Sequence, residues 1–210
     1  MTYAVKEIRY TLQGEGANTG CPAVLLRFAG CNLWSGREED RVTADCRFCD
    51  TDFQGVDGPG GGKYTEASDL ADAVNRVWPE TRESKFVVCT GGEPLLQLDA
   101  DLLTELRARS FFISLETNGT IEAPAGIDWI CVSPKVGTTL AQTAGDELKL
   151  VYPQEGLDPA AFEHLEFAHF FLQPLDGPDR DRNTELAIEY CLSNPGWRLS
   201  LQMHKILGIP

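Results

Sequence analysis

The chain has 210 residues, 42% of them hydrophobic, a composition that predicts one globular domain over residues 1–210 and excludes a disordered chain. Its 32 acidic residues outnumber the 18 basic ones, and the formal net charge of −14 disfavours nucleic acid and anionic membrane surfaces as partners. The same charge favours a small-molecule ligand or a basic partner. No apolar run approaches the ~18 residues that cross a bilayer, and the first residues have no signal-peptide core, so we expect a cytoplasmic location and no membrane partner.

Apolar and β-branched runs bounded by turn residues predict strands along most of the chain. In chain order they are 23–28, 85–89, 111–115, 129–132, 148–152, 169–172 and 197–201. Segments of helical period lie between several of them, at 65–78 with Thr65 as the expected cap, at 99–109 and at 183–192. Strands that alternate with helices predict a parallel α/β sheet, either doubly wound or curved into a full or partial barrel.

Unusual polar sequences follow directly after six of these strands. They are 30–32, 90–94, 116–119, 133–135, 173–176 and 202–205. Because ligands bind at the carboxyl ends of parallel strands, we expect the six to line one pocket. Turns after strands are polar in most proteins, so the expectation depends on all six together.

Seven cysteines in a chain without an export signal favour metal ligands and buried thiols over a disulfide framework. Cys89, Cys131 and Cys191 lie inside apolar runs, where a free cysteine behaves as a small hydrophobic residue. We expect these three in the core.

Cys31, Cys46 and Cys49 have a different setting. Fourteen residues separate the first two and two separate the last two, so a long loop returns to a tight C-x-x-C. An ordinary [4Fe–4S] electron carrier uses four cysteines, and three leave one iron open to bind a substrate or cosubstrate. Structural zinc stays an alternative, although it needs a fourth ligand and the histidines are distant in the sequence.

Three sequences together resemble the radical S-adenosylmethionine superfamily: Gly-Cys-Asn at 30–32, Cys-Arg-Phe-Cys-Asp-Thr at 46–51 and Gly-Gly-Glu-Pro at 91–94. The enlarged segment 32–45 departs from the usual C-x3-C-x2-C pattern but is similar to the 7-carboxy-7-deazaguanine synthase family. The resemblance extends over nearly the whole chain, from Leu12-Gln13-Gly14-Glu15-Gly16 to residues 204–210. It implies an incomplete parallel (β/α) barrel, a partial TIM barrel with an enlarged cluster-binding loop.

The resemblance also implies the cofactors. Cys31, Cys46 and Cys49 would hold a [4Fe–4S] cluster whose open iron binds S-adenosylmethionine. Thr51 would be a Mg²⁺ ligand, whereas the residue alone favours a threonine that caps the next turn. Glu116 and Asn118 are further candidate contacts. The positions that match S-adenosylmethionine contacts in the family are Phe48, Gly92, Ser133, Pro134, Lys135, Gln173, Pro174, Leu175 and Asp176.

The implied substrate is 6-carboxy-5,6,7,8-tetrahydropterin. Loss of the hydrogen at C6 starts a ring contraction that releases ammonia and gives 7-carboxy-7-deazaguanine, a precursor of queuosine, with S-adenosylmethionine regenerated. Arg27, inside an otherwise apolar strand, suits the substrate carboxylate because its planar fork binds such groups with two hydrogen bonds; a buried ion pair is the alternative. Leu12, Gln13, Gly14, Thr90 and Pro210 match the other substrate positions.

The family further implies a homodimer and a flavodoxin or ferredoxin as electron donor. Two other functions stay open from the sequence: a radical enzyme of another kind, such as a glycyl-radical activase, and a non-enzymatic metal-binding module. The sequence assigns no role to the charged segment 32–45.

Overall fold

The computed structural model describes residues 2–80 and 84–209, and within them nine strands form one sheet. The strands are β1 Tyr3–Leu12, β2 Pro22–Phe28, β3 Gly62–Tyr64, β4 Lys85–Gly91, β5 Phe111–Thr117, β6 Trp129–Val132, β7 Ala144–Tyr152, β8 Glu166–Pro174 and β9 Trp197–Leu199. The helices are α1 Ala67–Val77, α2 Ala100–Ala108, α3 Arg180–Ser193 and α4 Met203–Leu207. Short 3-10 helices span Glu38–Thr43, Pro94–Leu96 and Pro159–Phe162.

The strand order is β3-β1-β2-β4-β5-β6-β7-β8-β9. All neighbours from β2 to β9 are parallel, whereas β1 runs antiparallel to both β2 and β3. The expectation of an α/β sheet with mostly parallel strands is confirmed. The carboxyl ends of the parallel strands therefore meet at one edge of the sheet, as ligand binding at that edge requires.

Two apolar clusters hold the helices against the sheet. In the first, Leu26 of β2 and Val87 of β4 pack with Leu70 of α1 and Leu106 of α2, all fully buried. The second contains Leu150 of β7 together with Ala187 of α3. Because successive side chains of a strand point to opposite faces, the residues between these apolar positions face away from the helices.

The predicted strands and helices are present, with ends that differ by a few residues. Helix α1 has Glu66 as its N-cap residue, so the expectation that Thr65 caps it is wrong. The connections β5–β6 and β6–β7, fully described, contain no helix. The sequence analysis missed β1, β3 and α4. No helix in the described part of the chain combines the length and the apolar character that a membrane crossing needs.

Candidate active site

A cavity of about 350 Å³ lies at the carboxyl ends of the parallel strands. Each of the six polar sequences predicted to meet there contributes at least one lining residue. The loop after β1, the C-x-x-C segment and residues within the strands, such as Arg27 of β2 and Lys149 of β7, also line it. The prediction that six strand ends face one pocket is confirmed.

The three predicted cluster ligands, Cys31, Cys46 and Cys49, all line this cavity. The hydrogen bond from the Cys46 thiol, supported by the Thr51 amide, lowers the pKa of Cys49 to about 6 although its burial opposes the shift. The same hydrogen bond and burial raise the pKa of Cys46, and burial raises that of Cys31. Of the three thiols, Cys49 is thus the one that deprotonates most readily.

The donor set suits an iron–sulfur cluster. In the described part of the chain, no group of three or more His, Cys, Asp or Glu side chains is arranged around a single metal ion. A [4Fe–4S] cluster does not need ligands arranged around one ion, because each of its thiolates binds a separate iron. Three sulfur donors, Cys31 after β2 and two from the C-x-x-C loop, are the chemistry that such a cluster takes.

The glycines after β4 bring the main chain close to this loop. A Cβ at Gly92 would lie 2.1 Å from the Gly30 oxygen and 2.8 Å from the Cys31 Cβ. Gly91 has a φ of 135°, which side chains of L residues rarely allow. The close approach beside Cys31 therefore requires glycine at 92.

Glu93 ties the ends of β4 and β5 together. It is fully buried and accepts hydrogen bonds from the Leu95 amide (3.0 Å), the Thr117 hydroxyl (2.9 Å) and the Asn118 amide (2.9 Å). Burial raises the pKa of Glu93, while these donors oppose the rise. The glutamate of Gly-Gly-Glu-Pro thus fixes the strand ends that line the cavity.

A buried lysine joins two carboxylates inside the cavity. Lys149 on β7 pairs with Glu15 and, at 3.3 Å, with Glu116. Burial alone would lower the pKa of Lys149, but the two carboxylates raise it well above its usual value. Glu116 also accepts hydrogen bonds from Gln13 and Thr90, each at 3.0 Å. Two predicted substrate contacts are therefore positioned by one carboxylate.

Arg27 forms an ion pair and faces the cavity as well. Its Nε donates to a Glu7 carboxylate oxygen at 2.9 Å, and Arg9 donates to the other at 2.6 Å. Burial would raise the pKa of Glu7, but the two guanidinium groups lower it. Within the described residues, the terminal nitrogens of Arg27 make no hydrogen bond and remain available to a ligand.

Full-length relatives identify the family. The 7-carboxy-7-deazaguanine synthase of Caulobacter vibrioides is 61% identical over 210 residues, 100% of both chains. That of Burkholderia multivorans is 59% identical over 210 residues, again 100% of both. The chain belongs to the 7-carboxy-7-deazaguanine synthase family. The crystal structure of QueE from Escherichia coli matches with a TM-score of 0.73 and 28% identity over 97% of this chain and 95% of that one. No protein-family model matches the chain.

Membership of the 7-carboxy-7-deazaguanine synthase family confirms the resemblance and shows that the chain is an enzyme of that family. The structure brings most of the residues assigned by this resemblance to one cavity. Their individual contacts stay predictions. The assigned residues that line it are Leu12, Gln13, Gly14, Arg27, Cys31, Cys46, Phe48, Cys49, Thr51, Thr90, Gly92, Ser133, Lys135, Gln173, Pro174, Leu175 and Asp176.

Two assigned residues differ from the rest. Pro134 does not line the cavity, and its carbonyl accepts a hydrogen bond from Gln154 at 3.2 Å. The expected substrate contact of Pro210 lies outside the described residues. Cys131, expected only in the core, is buried there and also lines the cavity.

Several lining residues of this family member were not singled out from the sequence. Lys149 lies in the predicted strand 148–152, and an apolar run does not show which of its residues faces the site. His204 packs on Gly14, where a Cβ would lie 2.5 Å from its Nδ1. The polar sequence 202–205 was the available signal for His204, while Glu15 sits beside the Leu-Gln-Gly sequence that carries the resemblance.

Proposed function

We propose that this chain converts 6-carboxy-5,6,7,8-tetrahydropterin to 7-carboxy-7-deazaguanine and ammonia in queuosine biosynthesis. The supporting observation is that three thiols, the glycines after β4 and six strand ends line one cavity. The full-length relatives of the chain are named for this activity. The radical S-adenosylmethionine chemistry of the family supports the choice of cofactors.

In this proposal Cys31, Cys46 and Cys49 hold a [4Fe–4S] cluster. When bound, the cluster and S-adenosylmethionine supply the radical that removes a hydrogen atom from the substrate. The lowered pKa of Cys49 favours its ligand form. Gly92 lets the end of β4 pack directly against Gly30 and Cys31, since any side chain there would collide with them, and this places its main chain beside the first cluster cysteine.

The remaining S-adenosylmethionine contacts come from three strand ends. Lys135 donates to the Ser133 hydroxyl at 2.7 Å, which fixes the end of β6, and Asp176 accepts from Lys205 at 2.6 Å, which fixes the loop after β8. The proposed contact positions are Phe48, Gly92, Ser133, Pro134, Lys135, Gln173, Pro174, Leu175 and Asp176; all line the cavity except Pro134, which lies between two that do.

A second set of residues is proposed to bind the substrate. The free fork of Arg27 binds its carboxylate, and Gln13 and Thr90, both held by Glu116, bind the pterin edge. Thr51 supplies a hard oxygen ligand to Mg²⁺, which would also bind substrate oxygens. Leu12, Gly14 and Pro210 complete the proposed substrate contacts.

The proposal extends to the architecture and partners. The mixed sheet is the partial barrel of the radical S-adenosylmethionine type, and residues 1–210 form a single domain. The active species is a homodimer, and a flavodoxin or ferredoxin delivers the electron. These assignments rest on family membership and on the strand order.

Single cysteine variants test the cofactor assignment. Cys31→Ser, Cys46→Ser and Cys49→Ser, reconstituted anaerobically, should lose most of the iron and the reductive cleavage of S-adenosylmethionine. Cys21→Ser is the matched control, because Cys21 is an exposed thiol outside the cavity. Full iron content in any of the three variants, or loss in the control, would contradict the assignment.

A further inference from the structure

The enlarged segment between Cys31 and Cys46 is closed at its base by the main chain. The amides of Asp45 and Cys46 donate to the Leu33 carbonyl at 3.1 and 3.3 Å. Between these points the chain forms the 3-10 helix Glu38–Thr43, which buries no residue. This helix therefore has no apolar anchor of its own and must be held by other contacts.

Arg41 of this helix reaches the C-x-x-C turn. Its Nη1 donates to the Arg47 carbonyl at 2.9 Å and to the Cys49 carbonyl at 3.0 Å. These two acceptors flank Phe48, between the last two cysteines. One guanidinium group thus links the enlarged segment to the main chain of the turn.

The same guanidinium group is fixed from two other sides. Glu38 accepts from its Nε and Nη2 at 2.7 and 2.5 Å, and the Trp34 ring centroid lies 4.0 Å from its Cζ. Trp34 is 7% exposed, contacts Phe53 edge-on at 5.6 Å, and donates from Nε1 to the Arg37 carbonyl at 3.0 Å. Arg41 therefore lies between an anchored aromatic ring and the turn.

We propose that Arg41 is a positioning residue that holds the Cys46–Cys49 turn in its ligand geometry before iron binds, and that this is the role of segment 32–45. Only a planar fork with several donors reaches a carboxylate on one edge, two carbonyls on another and a ring on its face. A lysine at 41 would keep the charge but make fewer of these contacts. The part of this proposal that concerns the cluster rests on the proposed function.

Hydrogen exchange of the full-length, iron-free protein tests the holding role. In Arg41→Ala, residues 44–50 should exchange about tenfold faster than in the wild type, because charge-assisted hydrogen bonds that limit local opening are lost. Arg41→Lys should give a smaller acceleration. Arg37→Ala, the matched control in the same segment, should exchange at the wild-type rate. The Arg37 side chain is exposed, and its ion pair with Glu39 is long, at 3.8 Å.

A wild-type exchange rate in Arg41→Ala, or equal acceleration in Arg37→Ala, would overturn the proposal. Exchange of 85–91 in β4 shows whether a variant loosens the whole sheet. If exchange in β4 also rises in Arg41→Ala, the Glu38→Gln variant is used instead to test the proposal. The Glu38 side chain is 75% exposed, so this substitution removes only its hydrogen bonds to Arg41. Glu38→Gln should accelerate residues 44–50 about two- to threefold, and a wild-type rate would overturn the proposal.

The iron-loaded protein gives a readout that a purely structural role would not move. The midpoint potential of the cluster should fall in Arg41→Ala, because a cation next to the Cys49 carbonyl is lost, and should stay unchanged in Arg37→Ala. An unchanged potential in Arg41→Ala would overturn the proposal. Wild-type protein that takes up no iron would refute the proposed cofactor, and the exchange experiment would still decide the role of Arg41.

Discussion

Replacing Lys149 by methionine isolates the charge network inside the cavity. Methionine keeps an unbranched apolar stem but removes the cation that Glu15 and Glu116 share. The Lys149 side chain is 5% exposed, and the two carboxylates are 15% and 24% exposed, so water compensates for the loss only in part. The variant therefore leaves two neighbouring carboxylates in a largely buried site without the cation that they share.

The expected cost follows from the burial. Removing one partner of a buried ion pair costs about 3–5 kcal/mol, and the partial exposure of Glu116 favours the lower end, about 3 kcal/mol. For a chain of this length, 1 kcal/mol shifts the melting temperature by about 2–4 °C, so we expect a fall of about 6–12 °C. Lys63→Met, at an exposed position on β3, should shift it by about 1 °C or less.

The stability difference between the wild type and Lys149→Met should depend on pH. In the wild type, Lys149 lowers the pKa of Glu116 although burial opposes this, so Glu116 adds stability above its unfolded pKa that is lost as pH falls through the folded value. In Lys149→Met, burial raises the folded pKa of Glu116 above its unfolded value. The charged Glu116 therefore destabilises the variant at high pH, and protonation of Glu116 restores part of that stability. The difference in melting temperature should therefore narrow from about pH 8 to about pH 5.

Differential scanning calorimetry of anaerobically purified protein measures both quantities. The double variant Lys149→Met/Glu116→Gln should recover part of the lost stability, because one of the unpaired charges is gone. A Lys149→Met shift no larger than that of Lys63→Met would refute the reasoning. A difference that widens on acidification would refute it equally.

Two further substitutions test the assignments around the cavity. Gly92→Ala should reduce iron uptake and lower the melting temperature, because the added Cβ would lie 2.1 Å from a carbonyl oxygen. Gly196→Ala is the control and should behave as wild type, since a Cβ at Gly196 meets no atom within 4 Å. Equal iron content and stability in the two variants would argue against the close approach of the main chain at Gly92. Arg27→Ala should raise the KM for the pterin about tenfold or more without changing the cluster spectrum. Arg9→Ala, which removes the other guanidinium group from the same carboxylate, should leave KM near the wild-type value; loss of the cluster spectrum in Arg27→Ala would mean that this residue is structural.

The strands that the sequence predicted are those buried on both faces or bounded by clear turns. Strand β2, for example, is apolar except at Arg27. Because β2 and its neighbours were expected to be parallel, the polar residues that follow them could be placed at one edge of the sheet without a structure. Strand β1 was missed because Lys6, Glu7 and Arg9 interrupt its apolar pattern. Two of them have partners outside β1: Lys6 donates to Asp57, and Glu7 accepts from Arg27 of β2.

The charge networks needed the structure for the same reason. Lys149 lies between Leu148 and Leu150, which are buried in the second apolar cluster, and only the structure shows that Lys149 faces the cavity. The role of Arg41 was equally hidden, because a charged segment without periodicity does not show which of its residues reaches Cys49. The chemistry of the three thiols could be predicted because it depends on residue type and count.

The most direct test of the proposed function is product analysis. The anaerobically reconstituted protein is supplied with S-adenosylmethionine, a reductant, Mg²⁺ and 6-carboxy-5,6,7,8-tetrahydropterin, and the products are identified by mass spectrometry. The account predicts 7-carboxy-7-deazaguanine, with S-adenosylmethionine recovered rather than consumed. Cleavage of S-adenosylmethionine without any deazapurine would contradict it.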